Sequence, residues 1–397
     1  MNLWSANRRN LVFLFLMELC AGAARGAYLV CIGWITLIVS GDVARVGQVF
    51  IVGMLTILLG GPVVGVIVDR YNRKTLTIIA HVGMALALYT LGRSVADEQT
   101  PSIVWFFATV VVVTLLRMIY QSSHDGLIHA NVSKDQVVNT IAGFRGIHLA
   151  MTALGTVAAG LIIDQYSPTA GFSFAAVLSG LLVVSVGFIK GVRTRKVITG
   201  FRGFLQDFAG GLALFRENRG LRVLTLLAGV ALPLGQLSNA VLSSFIHDDL
   251  GRGSDVFGYV DAAWPIGGMI AAAVLSLGLK RLSKSGMEYL FAALGGMSTV
   301  LLSFSTSVTG LMLAHAAMGF TVWLCRIVID GRVLQMCSEE TVGRTKTYIE
   351  VMFSFVAIIM CLSPTLVKLE QTSYYFLFWG AFAIVFALLL WLLQPRS

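Results

Sequence analysis

Eight ionisable side chains fall inside otherwise apolar runs of the sequence: Glu18, Arg25, Arg117, Arg145, Asp261, Arg326, Asp330 and Glu350. At the centre of a lipid bilayer such a charge costs about 2.5–3.5 kcal/mol, so each needs a partner, a wet cavity or a task. Arg326 and Asp330 are four apart, the spacing of an ion pair along one helix. Glu18 and Arg25 are seven apart; they share a helix face but stand about 10 Å apart along it, too far to pair and well placed to line one cavity. Neither Arg25 nor Arg117 has an opposite charge three or four residues away, which points both towards a cavity. Guanidinium forks bind carboxylates in bidentate fashion, so Arg25, Arg117 and Arg326 are the candidate ligands of an anionic group. Gln236 and Asn239, just beyond Pro233 and Gly235, add hydrogen bonds from a kinked helix. A proton carrier must be a group whose charge is expensive where it sits. Glu18 is the first candidate, with Asp261 and Glu350 next. Asp261 lies close to Pro265, Gly267 and Gly268, where a helix break would expose it. For Arg145, near a helix end, snorkelling to the surface suffices, and pairing with Glu350 is a structural alternative. Trp34, Trp264, Trp323 and Tyr259 could stack on a ring, although such residues more often pack or anchor at an interface.

The elements that must hold these residues follow from composition. Of 397 residues 57% are hydrophobic and only 12% charged, against about a quarter charged in a soluble domain. Such a chain needs lipid as its solvent. Each spanning helix takes about 20 apolar residues, and hydropathy with turn residues places twelve: 11–39, 46–68, 75–93, 102–123, 139–163, 170–189, 221–246, 257–279, 286–305, 309–330, 346–367 and 374–393. Arg8 and Arg9 before an apolar run resemble a signal peptide, but Glu18 interrupts the run and it continues to Val39; an uncleaved first helix fits better. The five cysteines include no Cys-x-x-Cys pair and read as packing residues.

Loop charge orients the chain. With both termini on the cytoplasmic side, 21 of the 29 Lys and Arg fall in cytoplasmic segments and four on the opposite side, a positive-inside bias that also supports an even number of spans. The net charge of +9 is therefore a matter of membrane topology, not of nucleic acid. The longest loop divides the chain into a first six-helix bundle over 1–189, a linker over 190–220 and a second bundle over 221–397. Within the linker, Phe201, Phe204, Phe208 and Phe215 recur at helical spacing, the pattern of an amphipathic helix on the membrane surface. Arg117 in Leu115-Leu116-Arg117-Met118-Ile119 and Arg326 in Leu324-Cys325-Arg326-Ile327-Val328 hold corresponding places in the fourth helix of each half. That is an internal repeat of the kind that puts ligand sites between repeats.

The most specific motif joins the second and third spans: Gly65-Val-Ile-Val-Asp69-Arg70-Tyr-Asn-Arg73-Lys74. A glycine four residues before an aspartate lets helices approach closely, and an aspartate at a helix end followed by three cations can make switchable ion pairs. This segment resembles the signature loop of the major facilitator superfamily, G-x-x-x-D-R-x-x-R-K, with every signature position filled. Within that superfamily, the stretch from Asp69 to Lys74 and a Val342-Gly343-Arg344 turn before span eleven are most similar to the branch holding enterobactin-type siderophore exporters and macrolide efflux proteins. The resemblance implies an all-α membrane protein of 12 transmembrane helices in two pseudo-symmetric six-helix bundles. It also implies a bacterial inner-membrane location and proton-coupled export by alternating access, gated by Gly65, Asp69, Arg70, Arg73 and Lys74. The matching loop of the second half, Gly278 to Lys284, keeps cations but lacks the aspartate. The arginine-rich wall favours an exported organic anion such as a siderophore; a macrolide or multidrug efflux pump is the alternative. No nucleophile elbow, zinc-protease motif or phosphate loop is present, His124 and His129 have no third ligand nearby in sequence, and neither an enzyme, a cofactor nor a metal is expected.

Overall fold

The computed structural model describes residues 3–96, 102–131, 137–189, 218–276, 286–337 and 339–393. Every regular element among them is helical, and twelve helices are long and apolar enough to cross a membrane. The first, α1, is α-helical over Leu3–Val30, makes a π turn over Cys31–Ile35 and resumes as α-helix over Thr36–Ser40. Then follow α2 (Val43–Arg70), α3 (Arg73–Ala96), α4 (Ile103–Asn131), α5 (Val137–Gln165) and α6 (Pro168–Gly187). The seventh, α7, runs over Arg219–Ala231 and Leu234–Ser244 and ends in a second π turn, Phe245–Asp249. After it come α8 (Ser254–Ser276), α9 (Met287–Phe304), α10 (Val308–Met336), α11 (Glu339–Leu366) and α12 (Ser373–Leu392). Leu59, Val104 and Leu313 are each more than 60% exposed on these helices. Apolar faces of that kind have lipid as their solvent, and the protein is a multi-pass membrane protein.

The chain divides into two compact units, Met1–Gly41 with Val52–Phe201, and Asp42–Ile51 with Arg202–Ser397. In the first, α1 packs on α5 and α6, and α3 on α4 and α6. In the second, α7 packs on α11, α9 on α10 and α12, and α8 on α10. The pairings α1–α5, α3–α4 and α3–α6 thus return six helices later as α7–α11, α9–α10 and α9–α12. The start of α2 groups with the second half, unlike the division expected at the central loop; there Gly47 lies so close to the carbonyl of Cys361 that no side chain fits.

Small residues set the closest helix contacts. Gly22 and Gly26 on α1 lie against the carbonyls of His148 and Thr152 on α5, and Gly155 on α5 lies against the backbone of Ala23. This is the small-xxx-small seam of membrane helices, where van der Waals contact between backbones replaces a hydrophobic driving force. Thr152 and Thr156 donate back to the carbonyls four residues earlier, 2.7 and 2.8 Å away, so neither hydroxyl needs water at the seam.

Several local expectations change. Residues 342–344 lie within α11 and not in a turn before it. The helix α8 continues through Pro265 without a break. A proline costs one backbone bond, and the tight seats of Gly267 on the backbone of Ala316 and of Gly319 on that of Trp264 clamp α8 to α10 on both sides of it. At Gly65 no described atom lies within 4 Å of where a Cβ would be, so the close approach expected there is not made in this conformation. In span seven the expected interruption at Pro233 is present. The proposed amphipathic segment of the linker and the loop Gly278 to Lys284 lie outside the described residues.

The seam makes a stability prediction. Gly155→Val should lower the thermal unfolding temperature of the detergent-solubilised protein, because a β-branched side chain forced against fixed backbone costs about 1–3 kcal/mol. Gly180→Ala, at a position with no described atom within 4 Å of the new Cβ, should leave it in place.

Candidate functional site

The same seam builds a site. Glu18 is one turn before Gly22 on α1, and Gly22 touches the carbonyl of His148. The side chain of His148 is thereby delivered to Glu18, with Nδ1 2.8 Å from Oε2. From α4, His124 brings its own Nδ1 to 3.1 Å from Oε1. Glu18 is 7% exposed and His124 2%. A carboxylate is thus held between two imidazoles from two other helices, with a hydrogen needed in each gap. Ionised, Glu18 accepts from both rings; protonated, it gives up one of those acceptances.

These residues open on a solvent-connected cavity, about 690 Å³ when the open solvent at its mouth is counted, lined by α1, α3, α4, α5 and α6 of the first unit. Arg117, Tyr120 and His124 follow one another down a single face of α4, at the i, i+3, i+7 spacing. Arg25 lies over the ring of Tyr28 at 5.6 Å, worth about 0.5–2 kcal/mol. Arg117 is partly buried near the same tyrosine, and no described carboxylate pairs with it. Arg145 pairs with Asp125 at 3.6 Å, both side chains half exposed. At the floor, His81 of α3 meets the edge of Tyr120, ring centres 4.4 Å apart.

The second unit handles its charges differently. Arg326 forms an ion pair with Glu350 and lies 4.0 Å from Asp330, which in turn is 3.9 Å from Lys346. Buried Glu288 is answered by Arg332 at 3.9 Å. Gln236 and Asn239 bond to each other at 3.2 Å, and Asp261 is partly buried on α8. Trp264 packs on Gly235 and Trp323 on Gly268, both as helix-contact side chains. His315 is satisfied twice. Its Nδ1 donates to the carbonyl of Val260 at 2.7 Å, which leaves Nε2 to accept from Ser238 Oγ at 2.8 Å.

Of the residues singled out from the sequence, Glu18, Arg25 and Arg117 come together in one cavity. Arg326, Gln236, Asn239, Asp261 and Glu350 belong to the second unit, and Arg145 and Glu350 each find a partner inside their own unit. His81 and His148 had no place in the sequence argument, and His124 entered it only as a metal ligand without companions. A search for fixed charge passes over histidine; a buried imidazole in an apolar span was the available signal. Among the described residues no group of His, Cys, Asp and Glu is arranged to hold a metal ion.

In the signature loop, Asn72 caps α3, accepting from the backbone of Lys74 at 2.9 Å. Arg70 is exposed, and the Arg73 guanidinium packs against Gly126 with no room for a side chain there. Lys74 donates to the carbonyls of Gly187 and Ile189 at 2.8 and 2.7 Å, and Arg9 to that of Phe188 at 3.2 Å. Two cations therefore satisfy the otherwise orphaned carbonyls at the end of α6, where the macrodipole favours them. Lys74→Ala should raise amide hydrogen exchange in the last turn of α6, read by mass spectrometry, while that of the α1–α5 seam stays as it was.

Residues 14–359 match the sequence pattern of the Major Facilitator Superfamily. No curated protein matches the chain. Among solved structures, the nucleoside transporter NupG superposes with a TM-score of 0.80 at 14% identity, covering 100% of both chains. The POT family transporter PepTSo superposes with a TM-score of 0.72 at 13% identity, covering 97% of each. At these identities the likeness is one of fold.

Proposed function

The chain belongs to the major facilitator superfamily, and from that premise we propose that this transporter exports a small organic anion, a siderophore in particular, by proton-coupled alternating access. The observation that carries the reading is Glu18 held between His124 and His148 at the wall of a cavity that also holds Arg25 and Arg117. The resemblance of the signature loop to siderophore exporters supports the cargo. The inward bias of loop cations supports an inner-membrane location with both termini in the cytoplasm.

The coupling follows from which helices each ligand joins. Ionised Glu18 ties α1 to α4 and α5 through two charge-assisted bonds, each worth about 1.5–3 kcal/mol. An anion shared by Arg25 and Arg117 ties α1 to α4 as well. A proton taken up by Glu18 weakens the first tie and so opposes the arrangement that the anion favours. Opposed ligands on one conformational equilibrium are the thermodynamic content of exchange. A large hydrophobic amine such as a macrolide would bring a further positive charge to a wall that already carries Arg25 and Arg117 and fits it less well.

Two experiments test this. Metabolites of medium and cell extract are compared between an iron-starved deletion strain and its complemented counterpart. A polycarboxylate or catecholate chelator retained in the deletion strain and missing from its medium is the expected result; an unchanged chelator profile removes the siderophore. With the accumulated compound in proteoliposomes, Glu18→Gln should abolish transport driven by a pH gradient yet allow exchange of labelled for unlabelled compound at equal pH. Equal loss of both would mean that Glu18 serves structure and not coupling. Arg117→Ala should weaken an anionic substrate about 10–100-fold, the value of one charge-assisted bond, and spare a neutral analogue. Similar weakening of both would remove the arginine from the site.

A further inference from the structure

We propose that His81 and Tyr120 form a hydrogen-bonding subsite for an unionised hydroxyl, so that the anion taken by this cavity is a hydroxycarboxylate. The proposal rests on the anion-binding reading above and names the chemistry of its ligand more closely.

Both ring nitrogens of His81 lack a hydrogen-bond partner among the described residues, and so does the hydroxyl of Tyr120. The two side chains are 2% and 6% exposed, touch each other edge to face, and line the cavity. A buried polar atom left unpaired costs about 1–3 kcal/mol. This chain avoids that cost at His315, which is equally buried and has both nitrogens bonded. The hydroxyls of Thr36, Thr225 and Ser243 are also unpaired, but none of them lines this cavity. Of the side chains with unpaired buried atoms, His81, Tyr120 and His124, the last through Nε2, line the cavity, and only His81 has both ring nitrogens unpaired.

The donor and acceptor inventory selects the group that fits. A neutral imidazole presents one N–H and one bare nitrogen, and a phenol can give or take. A hydroxyl can donate to the bare nitrogen while accepting from Tyr120. A carboxylate has no hydrogen for the bare nitrogen, and a methylene would leave every one of these atoms unpaired. Arg117 is three residues before Tyr120, about 4.5 Å along the axis of α4. That offset suits a ligand whose carboxylate and hydroxyl are on the same or adjacent carbons. The nearby carboxylates already have partners. Glu18 holds His124 and His148, and Asp125 holds Arg145.

The test uses two pairs of probes that differ by one hydroxyl, malate with succinate and citrate with tricarballylate. Equilibrium binding of each is measured to the full-length chain in lipid nanodiscs. A site built to bond a hydroxyl discriminates strongly against the analogue lacking it. The hydroxylated member of at least one pair should bind at least about tenfold more tightly, the His81→Leu variant should erase that preference, and His81→Gln should keep part of it. Equal affinities within both pairs, with binding still lost in Arg117→Ala, would overturn the hydroxyl subsite and leave the anion reading intact. If no probe binds, or if binding ignores Arg117→Ala, the anion reading falls and the subsite with it. A preference that survives His81→Leu, or that His81→Gln and His81→Leu destroy alike, would assign His81 to packing.

Discussion

A helix that carries a carboxylate into hydrocarbon must find its neutralising groups on other helices, at hydrogen-bond distance and without water. The α1–α5 seam meets that demand for Glu18. Gly22, Gly26 and Gly155 remove the side chains that would hold the two backbones apart. With the backbones in contact, a histidine on α5 reaches a glutamate on α1 within 2.8 Å. Contact of this kind is tolerant of little. One methyl group on the seam separates the helices by more than the slack in that bond, so the stability of the fold and the chemistry of the cavity depend on the same glycines.

The two halves share a plan and spend it differently. Arg117 and Arg326 occupy matching places in the fourth helix of each half. Arg326 is held by Glu350 and Asp330, whereas Arg117 has no described carboxylate beside it and faces a cavity. In the second unit charge is cancelled close to where it arises, through Lys346 and the Glu288–Arg332 contact as well. Cancelled charge supports structure, because a paired group has little affinity left for a ligand. In the first unit two guanidinium groups lie near Tyr28 and one carboxylate lies between imidazoles, all around one cavity.

Much of this was legible in the sequence for a physical reason. Spanning helices in lipid must satisfy every backbone group internally, so hydropathy alone locates them, and the twelve expected match twelve among the described residues. The sevenfold spacing of Glu18 and Arg25 placed both on one cavity because it is a property of a single helix. What could not be read were contacts between helices. Glu18 and His148 are 130 residues apart, and no local pattern marks their meeting. At Gly65 a small residue permits close approach but does not require it, and in this conformation no described atom comes close. Pro265 was read as a break because its missing N–H is local knowledge, while the packing of α8 on α10 that keeps the helix whole is not.

The π turns add a feature that neither hydropathy nor motif could supply. Cys31–Ile35 in α1 and Phe245–Asp249 in α7 interrupt the first helix of each half. Each interrupted helix is followed by a glycine in the left-handed region, Gly41 at φ 62° and Gly251 at φ 61°, where a side chain would be strained. A π turn inserts a residue into the helical ladder and weakens it locally. On α1 the insertion falls just beyond Arg25 and Tyr28, so the segment carrying Glu18 and the arginine is joined to the end of its helix through a yielding turn. Arg25 and Tyr28, which line the cavity, belong to the part of α1 fixed to α5 by the glycine seam, and the π turn follows directly after it.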